Sequence, residues 1–166
     1  MPVRRLPKNS SQIDGVEKKA TTILALLQNP YFPPSVSQRH IDMYRDNVKF
    51  HRMVLERTAT GKALRRAFGD LYDEIIWDNA NPRHGTTRNA SFPPDSVYMA
   101  NRIAYHDARV VLLFGKQAVA GWERILSFKD LVDLRIGRVV LTAPHPMAFG
   151  SAQDHLSGIV KKVMAI

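Results

Sequence analysis

TTILALLQNPYFPP, residues 21–34, is the stretch that decides the fold. Its run Ile23–Leu27 is fully apolar and ends abruptly at polar and chain-breaking residues. Such a run is typical of a strand buried on both faces of a sheet. Pro30 cannot continue a hydrogen-bonded ladder, and Pro33–Pro34 keeps the following turns extended. The side chains expected on a stiff loop at the carboxyl end of this strand are those of Gln28, Asn29, Tyr31 and Phe32.

The composition fits one globular domain. The chain has 166 residues, of which 45% are hydrophobic, enough for a single sizeable core. It has no cysteine, which rules out disulfides, thiolate metal sites and iron–sulfur clusters and indicates a cytoplasmic protein. No apolar run approaches the roughly 20 residues of a membrane span, and residues 1–10 lack the apolar region of a signal peptide.

The charge balance indicates a polyanionic partner. Lysine and arginine number 24 against 15 acidic residues, which gives a formal net charge of +9. A basic protein gains affinity for DNA because each phosphate that it neutralises releases counterions. A basic surface also serves solubility alone, so charge by itself leaves both interpretations open.

Three further apolar runs predict the remaining strands of the sheet. They lie at residues 74–78, 109–114 and 138–142, and helical patterns separate them. Parallel strands require crossover connections of this kind. The sequence therefore predicts an α/β fold: residues 21–166 form a single domain with a four-stranded, mostly parallel sheet flanked by helices. Residues 1–20 are predicted to be a basic arm or a first helix.

The intervening segments predict five helices. Residues 37–56 place apolar side chains at three- and four-residue steps, which predicts one amphipathic helix with a basic outer face. A short helix follows over residues 63–71, and Asp95 is placed to begin the next one. The last two predicted helices follow Gly115 and cover residues 152–163.

Three of the four predicted strands end in a polar residue followed at once, or nearly so, by proline. The sequences are Gln28-Asn29-Pro30, Asn79-Ala80-Asn81-Pro82 and His145-Pro146. Because the carboxyl ends of parallel strands lie at one edge of a sheet, two amides and an imidazole are expected to converge there. Arg83, Arg88 and Lys116 lie on predicted loops at the same edge and are expected to contact phosphates.

Four motifs in this order resemble those of the uracil-DNA glycosylase superfamily. LLQNPYFPP (residues 26–34) is similar to the first motif, in which Gly-Gln-Asp-Pro-Tyr or a Gly-x-Asn-Pro variant follows the first strand. EIIWDNA (74–80) is similar to the strand that ends in the uracil-reading asparagine. VVLLFGKQA (110–118) resembles the hydrophobic strand and its Leu-Gly-Lys-x-Ala turn, and HPMAFG (145–150) resembles the His-Pro-Ser leucine loop.

Two residues depart from the superfamily pattern. Leu27 stands where the first motif usually has glycine, and Met147 stands where the last motif has serine. The absence of cysteine excludes the iron–sulfur branches of the superfamily. The resemblance therefore implies a divergent member with the superfamily's α/β fold.

The resemblance implies roles for individual residues. Asn29 stands where the superfamily holds a water-activating aspartate or its asparagine substitute, and His145 would donate a hydrogen bond to the base O2. The residues implied to bind the base are Gln28, Tyr31 and Phe32 of the first motif, together with Asn79, which would read the Watson–Crick edge. The last motif implies a loop that wedges into the duplex, with Pro146, Met147, Ala148 and Phe149.

These residue types suit the hydrolysis of an N-glycosidic bond. The departing base becomes negatively charged, so donors aimed at its oxygen matter more than a strong nucleophile. An asparagine amide positions water but cannot take its proton, and a general base typically contributes ~10²–10⁴-fold. Asn29 therefore predicts a slower enzyme than an aspartate would.

The sequence predicts a monomeric DNA glycosylase that flips and hydrolytically excises uracil or a related modified or mismatched pyrimidine from DNA. It is expected to act without a metal or another cofactor. Two alternatives stay open: a catalytically inactive DNA-binding relative with the same fold, and a nucleotide-binding α/β protein of unrelated lineage.

Overall fold

The structure, a computed structural model, describes residues 21–87, 90–128, 133–134, 136–147 and 152–166. Its centre is a sheet of four parallel strands in the order β2-β1-β3-β4. The strands are β1 (Ile23–Leu27), β2 (Ile75–Asn79), β3 (Val110–Phe114) and β4 (Val139–Ala143). The predicted α/β class is confirmed. The predicted arm or helix at residues 1–20 lies outside the described residues.

Helices cover both faces of the sheet. In the described part of the chain they are α1 (Gln38–Asp46), α2 (Val48–Glu56), α3 (Ala59–Phe68), α4 (Leu71–Glu74), α5 (Ser96–Tyr105), α6 (Lys116–Ser127) and α7 (Ala152–Met164). The prediction of one continuous helix over residues 37–56 is wrong. Asn47 is extended, with φ −118° and ψ 108°, and its side chain accepts a hydrogen bond from the Phe50 N–H at 2.9 Å. This cap begins α2 anew, because an asparagine side chain competes with the helical backbone for its own hydrogen bonds.

The strand β1 is buried on both faces, as its apolar run predicts. Ile23, Ala25 and Leu27 belong to a core shared with α2, α3 and α7. Leu24 and Leu26 belong to a second core shared with α5 and α6. Alternate side chains of a strand point to opposite faces, so a strand in the middle of the sheet needs an apolar residue at every position.

The strand order changes direction at the middle of the sheet. From β1 the chain crosses to β2 through α1–α4, of which α2, α3 and α4 pack on one face of the sheet. It then reaches β3 through α5 and β4 through α6, both on the other face. Crossovers of one handedness require opposite faces when they run in opposite directions. The direction reverses between β1 and β3, and ligands of open α/β sheets bind outside the carboxyl ends of two such strands.

Candidate functional site at the carboxyl edge of the sheet

The strand register places the ends of all four strands at one level. Leu27 at the end of β1 pairs with Asn79 at the end of β2. Phe114 at the end of β3 pairs with Ala143 at the end of β4. Asn79 is thus the last residue of β2, one position later than the sequence predicts for the end of this strand. The polar residues of the three strand ends therefore lie at the same edge of the sheet.

Asn29, directly beyond β1, binds the backbone of the loop that precedes α5. Its Nδ2 donates to the carbonyl oxygens of Ala90 and Pro30, both at 3.2 Å. Its Oδ1 accepts from the N–H of Phe92 at 3.1 Å. Both amide hydrogens are used in these contacts, so in this conformation the Asn29 side chain holds the loop in place.

Replacing Asn29 by aspartate is expected to lower the free energy of unfolding by about 1–3 kcal/mol. The carboxylate keeps an acceptor for the Phe92 N–H but places negative charge against the carbonyl oxygens of Ala90 and Pro30. Urea denaturation at pH 7 measures the change. The matched control is Gln28→Glu, since the hydroxyl of Ser91 can donate to the new carboxylate. A stability of Asn29→Asp equal to that of Gln28→Glu would contradict this account.

Gln28 and Arg83 also hold the loop before α5. The Gln28 Nε2 donates to the Ser91 hydroxyl at 2.7 Å. The Arg83 guanidinium lies over the ring of Phe92, 4.6 Å from its centroid. Such a cation–π contact stabilises the loop at a modest level when it is exposed. Gln28 thus contacts protein groups in this conformation.

Tyr31 and Phe32 lie on the next part of the same stiff loop. Tyr31 is 40% exposed and forms an isolated parallel bridge with Gly85, whose carbonyl accepts from the Phe32 N–H at 2.9 Å. Phe32 is only 8% exposed, and its ring meets that of Tyr44 edge-to-face at a centroid distance of 4.9 Å. Phe32 therefore packs in a small cluster with α1 while Tyr31 faces solvent.

Asn79 is buried and bound to a tyrosine of α1. Its Nδ2 donates to the Tyr44 hydroxyl at 3.2 Å. Burial raises the pKa of Tyr44, so this hydroxyl stays protonated at neutral pH and keeps its own hydrogen to donate. The other hydrogen of the Asn79 amide and its carbonyl oxygen are not used by Tyr44.

Asp78, which the sequence analysis did not single out, anchors the end of β2. It is 4% exposed, and its carboxylate accepts from the Arg102 Nε, from the Tyr98 hydroxyl at 2.8 Å and from the Asn79 N–H at 2.8 Å. Tyr98 and Arg102 are four residues apart, so they share one face of α5. The signal in the sequence was an aspartate inside an apolar strand, followed downstream by a tyrosine and an arginine four residues apart.

His51 on α2 was likewise not singled out by the sequence analysis. It is 3% exposed, and its ring stacks on that of Tyr44 at a centroid distance of 3.9 Å. Its Nε2 has no hydrogen-bond partner in the described part of the chain. Burial lowers the pKa of His51 to about 4, so the imidazole is neutral at pH 7. The signal in the sequence was a histidine one turn before Leu55, on the buried face of α2.

A small cavity brings several of these residues together at the end of β2. Its volume is about 10 Å³, which suits about one water molecule. Its wall includes Phe32, Tyr44, His51, Asp78, Asn79 and Tyr98. Of the six residues predicted to bind the base or to act on it, Phe32 and Asn79 line this cavity, whereas Gln28, Asn29, Tyr31 and His145 do not.

His145 follows β4 at the same edge of the sheet and is half-buried. Its Nδ1 accepts a hydrogen bond from the Met147 N–H at 3.2 Å. Burial lowers the pKa of His145, so the ring is neutral at pH 7 and carries its proton on Nε2. Gly115 closes the end of β3 with φ +86°, and a Cβ there would lie 3.4 Å from the His145 Cβ. The end of β3 therefore packs closely against the backbone and Cβ of His145.

The residues that the sequence predicts to contact DNA differ in their exposure to solvent. Pro146 is buried, whereas Met147 is 49% exposed directly beyond the imidazole. Arg83 and Lys116 are exposed, and neither forms an ion pair with another described residue. Arg88, Ala148 and Phe149 lie outside the described residues.

Among the described residues, no three histidine, aspartate or glutamate side chains are grouped so that they could hold a metal ion. The described helices include none that is long and apolar enough to cross a membrane. In comparisons with known proteins, no protein-family model matches this chain, and no curated protein matches it significantly in sequence.

Proposed function

We propose that this chain is a DNA glycosylase that flips uracil, or a related modified or mismatched pyrimidine, out of DNA and hydrolyses its N-glycosidic bond. The observation that carries the proposal is that Asn29, Asn79 and His145 all follow strand ends at the carboxyl edge of one parallel sheet. The strand ends are far apart in the sequence, but the strand register places them at the same level along one edge of the sheet. A crevice at this edge is the usual ligand site of an open α/β sheet.

Asn79 and Phe32 are the residues that would hold the flipped base. An amide offers both a donor and an acceptor, and its N–H suits a carbonyl of the pyrimidine edge. Phe32 supplies an aromatic ring in the same cavity wall. A base that reacts must leave the duplex, so the enzyme needs a pocket that binds its polar edge.

His145 would stabilise the departing base. Its Nδ1 is occupied by the Met147 N–H, so the proton of the neutral ring lies on Nε2 and can be donated. A hydrogen bond to a base oxygen strengthens as negative charge develops on the base during bond cleavage. Water adds to the sugar carbon and releases one proton, and the base leaves with the electrons of the broken C–N bond and takes up a proton, which gives an abasic sugar and the free base.

Met147 would fill the gap left by the flipped nucleotide. It is an unbranched apolar side chain, 49% exposed, at the carboxyl edge. Proteins that open a duplex insert apolar side chains of this kind between base steps. Because Met147 lies two residues after His145, insertion of its side chain into the duplex would be coupled to placement of the base beside His145.

Replacing both Arg83 and Lys116 by alanine is expected to weaken DNA binding about equally for all sequences. Each lost phosphate contact lowers the slope of log affinity against log salt by roughly one, so the double variant should lose about two. Fluorescence anisotropy over a range of salt concentrations measures the slope. The control is Arg124→Ala with Lys162→Ala, two exposed residues far along α6 and α7. An unchanged slope in the Arg83 and Lys116 variant would move the DNA-binding face elsewhere.

The direct test of the proposed activity is cleavage of labelled oligonucleotides. Duplexes and single strands carry uracil, hydroxymethyluracil, hypoxanthine or mismatched thymine, and alkali converts each abasic product into a strand break. We expect product from at least one pyrimidine substrate. Binding without product on every substrate would exclude the glycosylase.

A DNA-binding relative without activity is the second candidate. The observation in its favour is that both amide hydrogens of Asn29 are bound to backbone carbonyls, which leaves neither free to hold water. The cleavage assay separates the two candidates, because both predict DNA binding and only the first predicts abasic product.

A further inference from the structure

The wall of the cavity contains one polar atom with an unmet hydrogen-bonding capacity. His51 is 3% exposed, and its Nε2 has no partner in the described ranges. Buried polar groups are nearly always paired, and an unpaired one is costly. His51 and Asn79 both line the cavity, so this atom is a candidate contact for a ligand that enters when the wall opens.

The chemical character of this atom follows from the other ring nitrogen. The imidazole of His51 is hydrogen-bonded to the backbone of Tyr44, which lies in the last turn of α1. Carbonyls in the last turn of a helix have no partner within the helix, so the ring donates to the carbonyl. Because Nε2 is the unpaired nitrogen, the bound proton is on Nδ1, and the neutral ring presents a lone pair on Nε2.

Tyr44 contacts both polar residues of this part of the wall. Its ring stacks on His51 and its hydroxyl binds Asn79 at 3.2 Å. The cavity has room for about one water molecule, so a base enters only when side chains of the wall shift. A shift of Tyr44 would release the Asn79 amide, since the two side chains are hydrogen-bonded.

We propose that His51 is a specificity-determining residue of this pocket, whose Nε2 accepts a hydrogen bond from an N–H of a planar heterocyclic base bound beside Asn79. This inference rests on the proposed function and narrows its substrate class. The favoured bases carry a ring imide N–H or an exocyclic amino group. A base without such a donor leaves the acceptor unpaired in a dry site, which costs on the order of 10- to 100-fold in affinity.

The test compares two probes that carry a methyl group where the sugar would be attached. The probe 1-methyluracil keeps its N3–H donor, whereas 1,3-dimethyluracil has none. NMR titration of the full chain measures both dissociation constants and the ¹⁵N shift of His51 Nε2. We expect wild-type protein to prefer 1-methyluracil and the Nε2 resonance to move on binding. His51→Leu should reduce the preference about tenfold or more, whereas His51→Gln, which keeps an acceptor, should retain part of it.

The matched control is His106→Leu. The Nε2 of His106 is also buried and unpaired, but His106 does not line the cavity, so the preference should stay at its wild-type value. The proposal is overturned if His51→Leu keeps the full preference, since the extra methyl group would then act by size alone. It is also overturned if 1-methyluracil does not bind or leaves the Nε2 resonance unmoved. If the probes bind as expected but no oligonucleotide loses its base, the glycosylase activity is refuted. The assignment of His51 to this pocket still stands in that case.

Discussion

Replacing His145 by alanine is expected to lower the turnover of a uracil-containing oligonucleotide by about 10²–10³-fold while leaving duplex binding nearly intact. The neutral imidazole can donate from Nε2, since its Nδ1 is bound to the Met147 N–H and burial lowers the pKa of His145. This donor gains strength only as the base becomes anionic, so its loss appears in the chemical step. Single-turnover kinetics with saturating enzyme, beside a binding isotherm, measure the two effects separately.

The control for His145 is its replacement by glutamine. A glutamine amide keeps a donor of similar reach without the ring, so His145→Gln should retain part of the turnover that His145→Ala loses. A parallel loss of binding and turnover in His145→Ala would contradict a role in the chemical step. It would make His145 a structural residue beside Gly115.

Replacing Asp78 by alanine is expected to lower the free energy of unfolding by about 3–5 kcal/mol. The buried carboxylate receives hydrogen bonds from Arg102, Tyr98 and the Asn79 N–H. Without it, the guanidinium and the hydroxyl stay in a largely buried site with their partner missing. Urea denaturation followed by tryptophan fluorescence measures the change, since Trp77 precedes Asp78 in β2.

The control for Asp78 is Asp73→Ala. Asp73 also pairs with an arginine, Arg65, at 2.6 Å, but its side chain is 49% exposed. Solvent and salt screen an exposed pair, so its loss should be much less destabilising. Equal losses in the two variants would show that burial does not set the strength of these contacts.

The fold and the edge that carries the site follow from patterns in the sequence. Apolar runs with abrupt polar ends, such as Ile23–Leu27, locate strands because a parallel sheet buries both faces. Asp95 was placed correctly at the start of a helix, where its side chain accepts from the Tyr98 N–H. The break at Asn47 was missed because apolar spacing continues through it, and only the local hydrogen bond of its side chain ends the first helix.

The detailed contacts of the site could not be predicted from the sequence. The asparagine at the end of β1 was predicted to position water, but its hydrogen-bond partners, Ala90 and Phe92, are set by the path of a distant loop. The environment of His51 depends on the stacking of Tyr44 across two helices. Strand ends can be predicted from local patterns, whereas partners of a polar side chain depend on tertiary contacts.

The parallel sheet also has a consequence for synthesis of the chain. The central strand β1 pairs with β2 and β3, and the helices α1–α5 with their connections are made before β3. Its apolar residues therefore leave the ribosome long before either neighbouring strand exists. Strands so distant in sequence pair slowly, and until they pair the apolar β1 segment can associate with other chains. We expect the yield of soluble protein to depend on chaperones and on growth temperature more steeply than in a hairpin-built domain of equal stability.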